Sequence, residues 1–501
     1  MDDRPSQGWF LALCVQIYVY SLSLNQYSSF YIRYSMKLYN TLAKEKQVFE
    51  PIYPGKVGLY TCGPTVYDFA HIGNLRSYTF ADTLRRVLEQ AGYEVRHIKN
   101  ITDVGHMTAD DIAQGDSGED KVAKKALAEH KTPEEIARFY EERFREDEAA
   151  MNILPAHYFP RATAHVAHMV KTITLLIESG HAYEKNGNVF FDVTSFPDYG
   201  KLSGNTLEHL KVGARLEEHP DKRNPWDFAL WLKAPAGHLM HWSSPWSEGY
   251  PGWHIECSSM SQEYLGDTFD IHTGGEDNIF PHHEAEIAQS ECSTGKPFVR
   301  YWLHTRHILV DGVKMSKSNG NFYRLADILE RGFTPLDLRV LFLSAHYRSQ
   351  MNFTWESLAQ AKKNKDSLLK AYSRIGNALV NESGFSATPF LERCRVACED
   401  DLNTPLALAV VQELVREINT RLDMGEQLHP NVRSAFEYIF SVFGLHFEEP
   451  VSVPEAVLEL AHAREVARQE KDFARADRLR DEILAQGNHV EDTPDGFRLE
   501  K

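Results

Sequence analysis

The chain has 501 residues, with 54 lysines and arginines against 71 aspartates and glutamates, a formal net charge of −17, and 43% hydrophobic residues. This excludes a small stapled scaffold and a disordered polymer, and a chain of such length builds about two to four domains. The acidic balance excludes a surface coated throughout with basic residues, so any nucleic-acid partner must be gripped locally.

Six cysteines (Cys14, Cys62, Cys257, Cys292, Cys394, Cys398) are too few for a disulfide framework. They point to a reducing compartment, where clustered thiols read first as metal-binding or reactive groups. Trp9 to Leu24 is apolar and aromatic, but Gln16, Ser21 and Ser23 interrupt it and it is too short for a membrane span. Its leader, Met1-Asp2-Asp3-Arg4, lacks the positive region of a secretory signal, and no small-residue cleavage site stands out. Residues 1–35 are therefore expected to be an extension without function, with Met36 opening the first domain. No other stretch reads as transmembrane, so the expected location is cytoplasmic.

From Val57 to Thr61 the residues suit a buried strand, ended by the turn Cys62-Gly63-Pro64-Thr65. Phe80, Leu84, Val87, Leu88 and Ala91 then share one helical face, Gly92 stands where a C-terminal cap belongs, and Val95 to Ile98 reads as the next strand. Strand, helix, strand predicts a parallel sheet with a site at the strands' carboxyl ends. Asp116 to Ala150 is charged and helix-prone, and about Met151 to Ala236, with strand-like Asn188 to Val193, reads as an insertion. The second half of the sheet is expected between Pro245 and Val310, with strands at Phe269 to His272 and His307 to Val310. Beyond Leu325 the periodicity predicts helices at Leu338–Leu343, Trp355–Asn377, Pro405–Met424 and Pro454–Gln486. In the last of these, Lys471, Arg475, Arg478 and Arg480 read as a solvated face rather than a polyanion site.

Three constellations carry chemistry. His71-Ile72-Gly73-Asn74 lies between the first strand and its helix, where backbone N–H groups and the helix dipole favour a phosphate and glycine allows close approach. Lys314-Met315-Ser316-Lys317-Ser318 places two lysines on a small-residue loop, suited to charge developing on a pyrophosphate leaving group. Cys62, Cys257, His282 and Glu286 form a thiol, imidazole and carboxylate set that suits zinc; a helix beginning near Pro281 would put His282 and Glu286 on one face. His283 is the rival for the metal, and Cys394 and Cys398, four apart in a helical stretch, read as packing residues.

Together these segments resemble the cysteinyl-tRNA synthetases, a family of class I aminoacyl-tRNA synthetases, over nearly everything from Met36 to Lys501. Arg161-Ala162-Thr163, Gly274-Gly275-Glu276-Asp277, Asp400-Asp401-Leu402-Asn403-Thr404-Pro405 and Asp492-Thr493-Pro494-Asp495-Gly496 also look like family segments. The family's Asn-x-Thr-Asp stretch continues differently here, from Asp103 to Asp111. The resemblance implies an α/β fold: a Rossmann-like catalytic domain split by an insertion, then an all-α tRNA-binding region. The implied order is 1–35 extension, 36–150 and 245–310 catalytic halves, 151–244 insertion, 311–350 connecting segment, 351–450 helical bundle and 451–501 anticodon-binding region.

It further implies ATP-dependent formation of cysteinyl-adenylate and transfer of cysteine to tRNA(Cys), with ATP as substrate beside Mg2+. A monomer in the cytoplasm, without membrane association, is the expected form. One Zn2+ per chain would sit on Cys62, Cys257, His282 and Glu286 and select the cysteine thiolate. By the same resemblance His71, Asn74, Lys314 and Lys317 act in catalysis, and Gly73, Gly275, Asp277 and Lys317 bind ATP. Thr65, Trp253 and His272 line the cysteine pocket. Two other readings compete. A mycothiol-pathway cysteine ligase shares fold, zinc site and adenylation but needs no tRNA-binding tail, whereas this chain continues far past Lys317. A non-catalytic tRNA- or zinc-binding paralogue would lose signature residues, and none is lost.

Overall fold

The computed structural model describes residues 36–104, 121–206, 208, 219–315, 320–376, 378–445, 455–493 and 496–500. The extension 1–35, most of the divergent stretch after Asp103, and Ser316, Lys317 and Ser318 lie outside the described residues. The chain forms two units, one through Gly444 and one from Leu445.

The first unit opens with the hairpin of β1 (Lys37–Asn40) and β2 (Glu45–Val48). Strand β3 (Lys56–Thr61) leads through the Cys62-Gly63-Pro64 turn to helix α1 (Ile72–Gln90) and strand β4 (Glu94–Lys99). Gly92 reverses the chain after α1 with a φ of 89°, a left-handed conformation that a β-carbon disfavours. Helices α2 (Lys121–Glu129) and α3 (Pro133–Ala150) occupy the charged region, and a capping box of Thr132 and Glu135 starts α3.

The insertion consists of α4 (Val166–Glu178) and an antiparallel sheet of β5 (Ala182–Lys185), β6 (Asn188–Phe191), β7 (Phe228–Lys233), β8 (Trp242–Ser243) and β9 (Glu248–Pro251), in the order β5-β6-β7-β9-β8. Because β9 pairs with β7, this sheet runs to Pro251, past the boundary of 244 expected from sequence.

Helix α5 (Trp253–Leu265), strand β10 (Phe269–Gly275), helix α6 (Glu284–Thr294) and strand β11 (Val299–Thr305) return the chain to the central sheet. That sheet is wholly parallel in the order β11-β10-β3-β4. One expectation is corrected here: Ile308–Val310 is a strand but not part of this sheet, whose outer strand is Val299–Thr305. All residues of β11 except Arg300 are buried, and a parallel strand covered on both faces shows no alternation to read. The core on this sheet joins Tyr60, Phe269, Phe298, Trp302 and Ile287, and Cys257 packs into it.

Strand β12 (Ile308–Val310) instead sits between β13 (Val313–Lys314) and β14 (Met351–Phe353), with α7 (Leu325–Glu330) and α8 (Pro335–Leu343) in the connection. Then follow α9 (Trp355–Gly376), β15 (Val380–Phe385), α10 (Thr388–Glu399), α11 (Thr404–Asp423) and α12 (Asn431–Phe443). Helix α12 is not among the helices predicted from periodicity, although its buried Val432, Ala435, Phe436, Ile439 and Phe443 recur at helical spacing.

The second unit holds α13 (Glu455–Gln469), α14 (Phe473–Ala485) and the hairpin of β16 (His489–Thr493) and β17 (Gly496–Glu500). The single helix expected over Pro454–Gln486 is therefore two. Lys471 takes a φ of 63° and the Asp472 side chain accepts the Arg475 N–H, which ends one helix and caps the next. No helix among the described residues is long and apolar enough to cross a membrane.

Candidate active site

Connections leave the central sheet in opposite directions from β3 and β10: α1 leads outward to β4, α6 outward to β11. The carboxyl ends of β3 and β10 thus frame a topological switch point, where open α/β sheets place their ligands. Cys62 follows β3 directly, and Gly274 and Gly275 close β10.

At the N-terminus of α1, His71 is the cap. The Asn74 N–H donates to His71 Nδ1 at 3.1 Å, and the His71 N–H donates to Asn74 Oδ1 at 3.2 Å. With Nδ1 accepting, a neutral His71 carries its proton on Nε2, a donor suited to a phosphate oxygen at a positive helix end. The Ile72 N–H donates to the Tyr323 carbonyl at 2.9 Å, and His71 pairs with Arg324 in an isolated bridge. A β-carbon on Gly73 would stand 2.8 Å from His71 Cε1 and 3.1 Å from Met315 Cε. Glycine there lets Met315 lie against the first turn of α1, so the two signatures far apart in sequence meet. Lys314 ends β13, and the Asn321 side chain donates to its carbonyl at 3.2 Å.

Beside this lies a buried ligand group. Cys62 comes from the end of β3, Cys257 from α5, His282 from the irregular turn before α6, and Glu286 from the first turn of α6. One ligand atom from each of the four lies within 4.8 Å of the others. Cys62 Sγ is 3.9 Å from Cys257 Sγ, and His282 Nε2 is 3.1 Å from Glu286 Oε1, the spacing of four residues expected from sequence. A second, overlapping group of Cys62, His272, His283 and Glu286 meets the same condition, with His283 Nε2 3.3 Å from Cys62 Sγ and His272 Nε2 3.0 Å from Glu286 Oε2.

Burial pushes the Cys62 thiol well above its ordinary value, with Cys257 beside it adding to the rise, and burial raises Cys257 and Glu286 as well. Burial draws the His283 imidazole well down and that of His272 down to about 3, which keeps these two neutral. Ligand atoms that each resist charge in isolation, gathered this closely, form a group that a cation would compensate. Two sulfurs, one imidazole nitrogen and one carboxylate oxygen fit a borderline-soft, four-coordinate ion such as zinc.

The other candidates fall around these two elements. Trp253 opens α5 with its ring 4.3 Å from that of His282. His272 stacks on Trp302 at 4.6 Å. Thr65 bridges to Thr102. The Gly275 N–H donates to Asn278 Oδ1 at 3.2 Å, and Asp277 lies exposed on the turn after β10. Sequence reasoning assigned nothing to several neighbours. His254 Nδ1 meets His282 Nδ1 at 2.9 Å, and His304 links His283 Nδ1, at 2.8 Å, to the Thr41 hydroxyl. Thr102 donates to the fully buried Glu256 at 2.7 Å, and Glu276 accepts from the His307 N–H and from Arg306. Single histidines and acids carry no spacing signal that would have found them.

Residues 48–363 match the family model described as the class I (C) tRNA synthetase catalytic domain, and residues 395–448 match the DALR domain. A protein of Chlorobaculum tepidum named cysteine-tRNA ligase is 43% identical over 93% of this chain and 99% of its own. One of Thermus thermophilus with the same name is 44% identical over 93% and 99%. Among solved structures, methionyl-tRNA synthetase of Mycobacterium tuberculosis bound by methionyl-adenylate superposes with a TM-score of 0.55 at 15% identity, covering 77% of this chain and 89% of that one. A leucyl-tRNA synthetase from Agrobacterium radiobacter gives a TM-score of 0.55 at 10% identity, over 79% and 84%. These structural likenesses bear on the fold alone.

Proposed function

The chain belongs to the cysteine-tRNA ligase family of class I tRNA synthetases, and on that premise we propose how its residues divide the work. The enzyme activates L-cysteine with ATP and charges tRNA(Cys). A cysteine carboxylate oxygen bonds to the α-phosphorus of ATP as the bond to pyrophosphate breaks. The cysteinyl group then passes to a ribose hydroxyl of the terminal adenosine, and AMP leaves.

Cys62, Cys257, His282 and Glu286 hold zinc, the set that supplies both thiolates. Bound there, zinc supplies a soft ligand position for the thiolate of substrate cysteine that the hydroxyl of serine matches poorly. What supports this assignment is the packing of the four ligand atoms within 4.8 Å of one another among buried surroundings. Trp253 closes over the cysteine side chain, and Thr65 and His272 line its pocket. His71, Asn74 and Gly73 receive the phosphates of ATP, which enters with Mg2+, at the α1 N-terminus. Gly275 and Asp277 face adenosine, while Lys314 and Lys317 meet the charge that develops on pyrophosphate.

The helical region from about residue 351 and the C-terminal unit contact tRNA, through salt-sensitive backbone contacts and exposed anticodon bases. The protein acts as a cytoplasmic monomer. The test is Cys257→Ala, which is expected to lose zinc and cysteine-dependent pyrophosphate exchange together. Full zinc and full activity would contradict the assignment.

A further inference from the structure

Arg76 lies on α1 just beyond Asn74 and is 2% exposed. Its guanidinium donates to four backbone carbonyls: Nη1 to Arg306 at 2.7 Å and His307 at 3.3 Å, Nη2 to His346 at 3.2 Å and Ser349 at 2.8 Å. Arg306 and His307 precede β12, and His346 and Ser349 precede β14. One side chain therefore spans both segments entering the sheet whose third strand, β13, ends on Lys314. Only a planar fork of five donors serves so many acceptors, and a desolvated cation held by carbonyl dipoles is a costly arrangement to keep.

Asp401 grips the same segment. Its Oδ1 accepts the Tyr347 hydroxyl at 2.6 Å and the Tyr39 N–H at 2.8 Å, while Oδ2 accepts Arg348 Nε at 2.8 Å. From α1, Phe80 stacks on the Tyr347 ring at 4.3 Å. Asp401 and Leu402 take φ values of 61° and 53° in succession. Two adjacent non-glycine residues in the left-handed region, one of them a buried leucine, persist only where their surroundings over-determine them. They belong to the Asp400–Pro405 motif, which the function proposed above does not use.

We propose that Arg76 and Asp401 are positioning residues for adenylate formation. Between them they fix the segment from Ala345 to Ser349, and with it the β12–β13–β14 sheet, in register with α1. Lys314 and Met315 are thereby set against the His71 end of that helix. The inference rests on the roles given above to His71 and Lys314.

The experiment uses the full chain carrying Arg76→Lys, which keeps the charge and loses the fork, and Asp401→Asn, which keeps an acceptor for Tyr347 and loses the charge. Pyrophosphate exchange, KM for cysteine, zinc content and melting temperature are measured on each, with Lys314→Ala as control. Each variant is expected to lower kcat about 10- to 100-fold, with KM for cysteine and zinc content unchanged. The double variant is expected to fall by less than the product of the singles, because both act on one segment. Tyr347→Phe removes a single hydroxyl and serves where a charged variant fails to fold; kcat alone should drop, by a smaller factor. Full kcat in the variants, with Lys314→Ala slow, would overturn the proposal. So would kcat, cysteine affinity and zinc falling together, which marks a merely structural role. Undiminished exchange by Lys314→Ala would remove the underlying reading of Lys314, and the proposal with it.

Discussion

His254 and His282 meet Nδ1 to Nδ1 at 2.9 Å, both buried. When both rings are neutral, one nitrogen of such a pair donates and the other accepts. His282 Nε2 points to Glu286 inside the ligand group, 3.1 Å from Oε1. A lone pair on that Nε2 requires the proton on Nδ1, donated to His254, so His254 holds both the tautomer and the orientation of a proposed ligand. His254→Ala is expected to weaken zinc affinity about 10- to 100-fold, as loss of an outer-shell partner does. Competition with a chelator measures this, and unchanged affinity would contradict it.

Gly73→Ala probes the meeting of the two signatures. The new β-carbon would stand 2.8 Å from His71 Cε1 and 3.1 Å from Met315 Cε, so both must shift. A misplacement of about 1 Å costs about 100-fold in rate, and relieving these contacts takes a few tenths of an ångström, so a loss of about 10-fold is expected. Single-turnover adenylate formation is expected to slow accordingly while zinc content stays whole; a wild-type rate would show that the contact is unimportant.

Arg339 is a stability node. Fully buried on α8, it donates to the carbonyls of Phe443, Met151 and Asn152 and forms a short ion pair with Asp82 on α1. Arg339→Leu leaves those acceptors and part of the carboxylate without a donor, an expected loss of about 3–5 kcal/mol. Denaturant unfolding checks the figure, and a loss below about 1 kcal/mol, the worth of a surface pair, would contradict it.

Asp147 gives a pH dependence. Burial and the neighbouring Glu146 push its carboxyl up to about 6 from an ordinary 3.8, against the pull of Arg143 and Arg324. Between those values the folded protein holds a proton that the unfolded chain has lost, so this group's contribution to stability falls as pH rises through the window. Above about 6 both states are ionised and the full penalty remains. Asp147→Asn is therefore expected to raise the melting temperature at neutral pH and to leave it nearly unchanged below the ordinary carboxylate value. An equal effect at both pH values would contradict this origin.

Local signals made the strand-helix-strand unit legible: the Gly-Pro turn after Thr61, the apolar spacing of Phe80, Leu84 and Val87, and Gly92 at the end of α1. Strand β11 was not, because a run buried throughout except at Arg300 shows no alternation to read. The break at Lys471 carries no glycine or proline to announce it. In the site, residue types pointed to Cys62, Cys257, His282 and Glu286, yet spacing cannot separate His282 from His283, and both reach the group in the folded chain. Arg76 and Asp401 were out of reach, since their partners are backbone carbonyls and residues far along the chain.

Thiolate selection at this cluster is proposed to make the enzyme specific for cysteine. The decisive measurement is charging of total tRNA with labelled cysteine, beside labelled serine and a zinc-stripped sample. Charging is expected with cysteine alone, fading as zinc is removed and returning when zinc is restored. Cysteine charging that survives complete removal of the metal, or serine charged equally well, would contradict it.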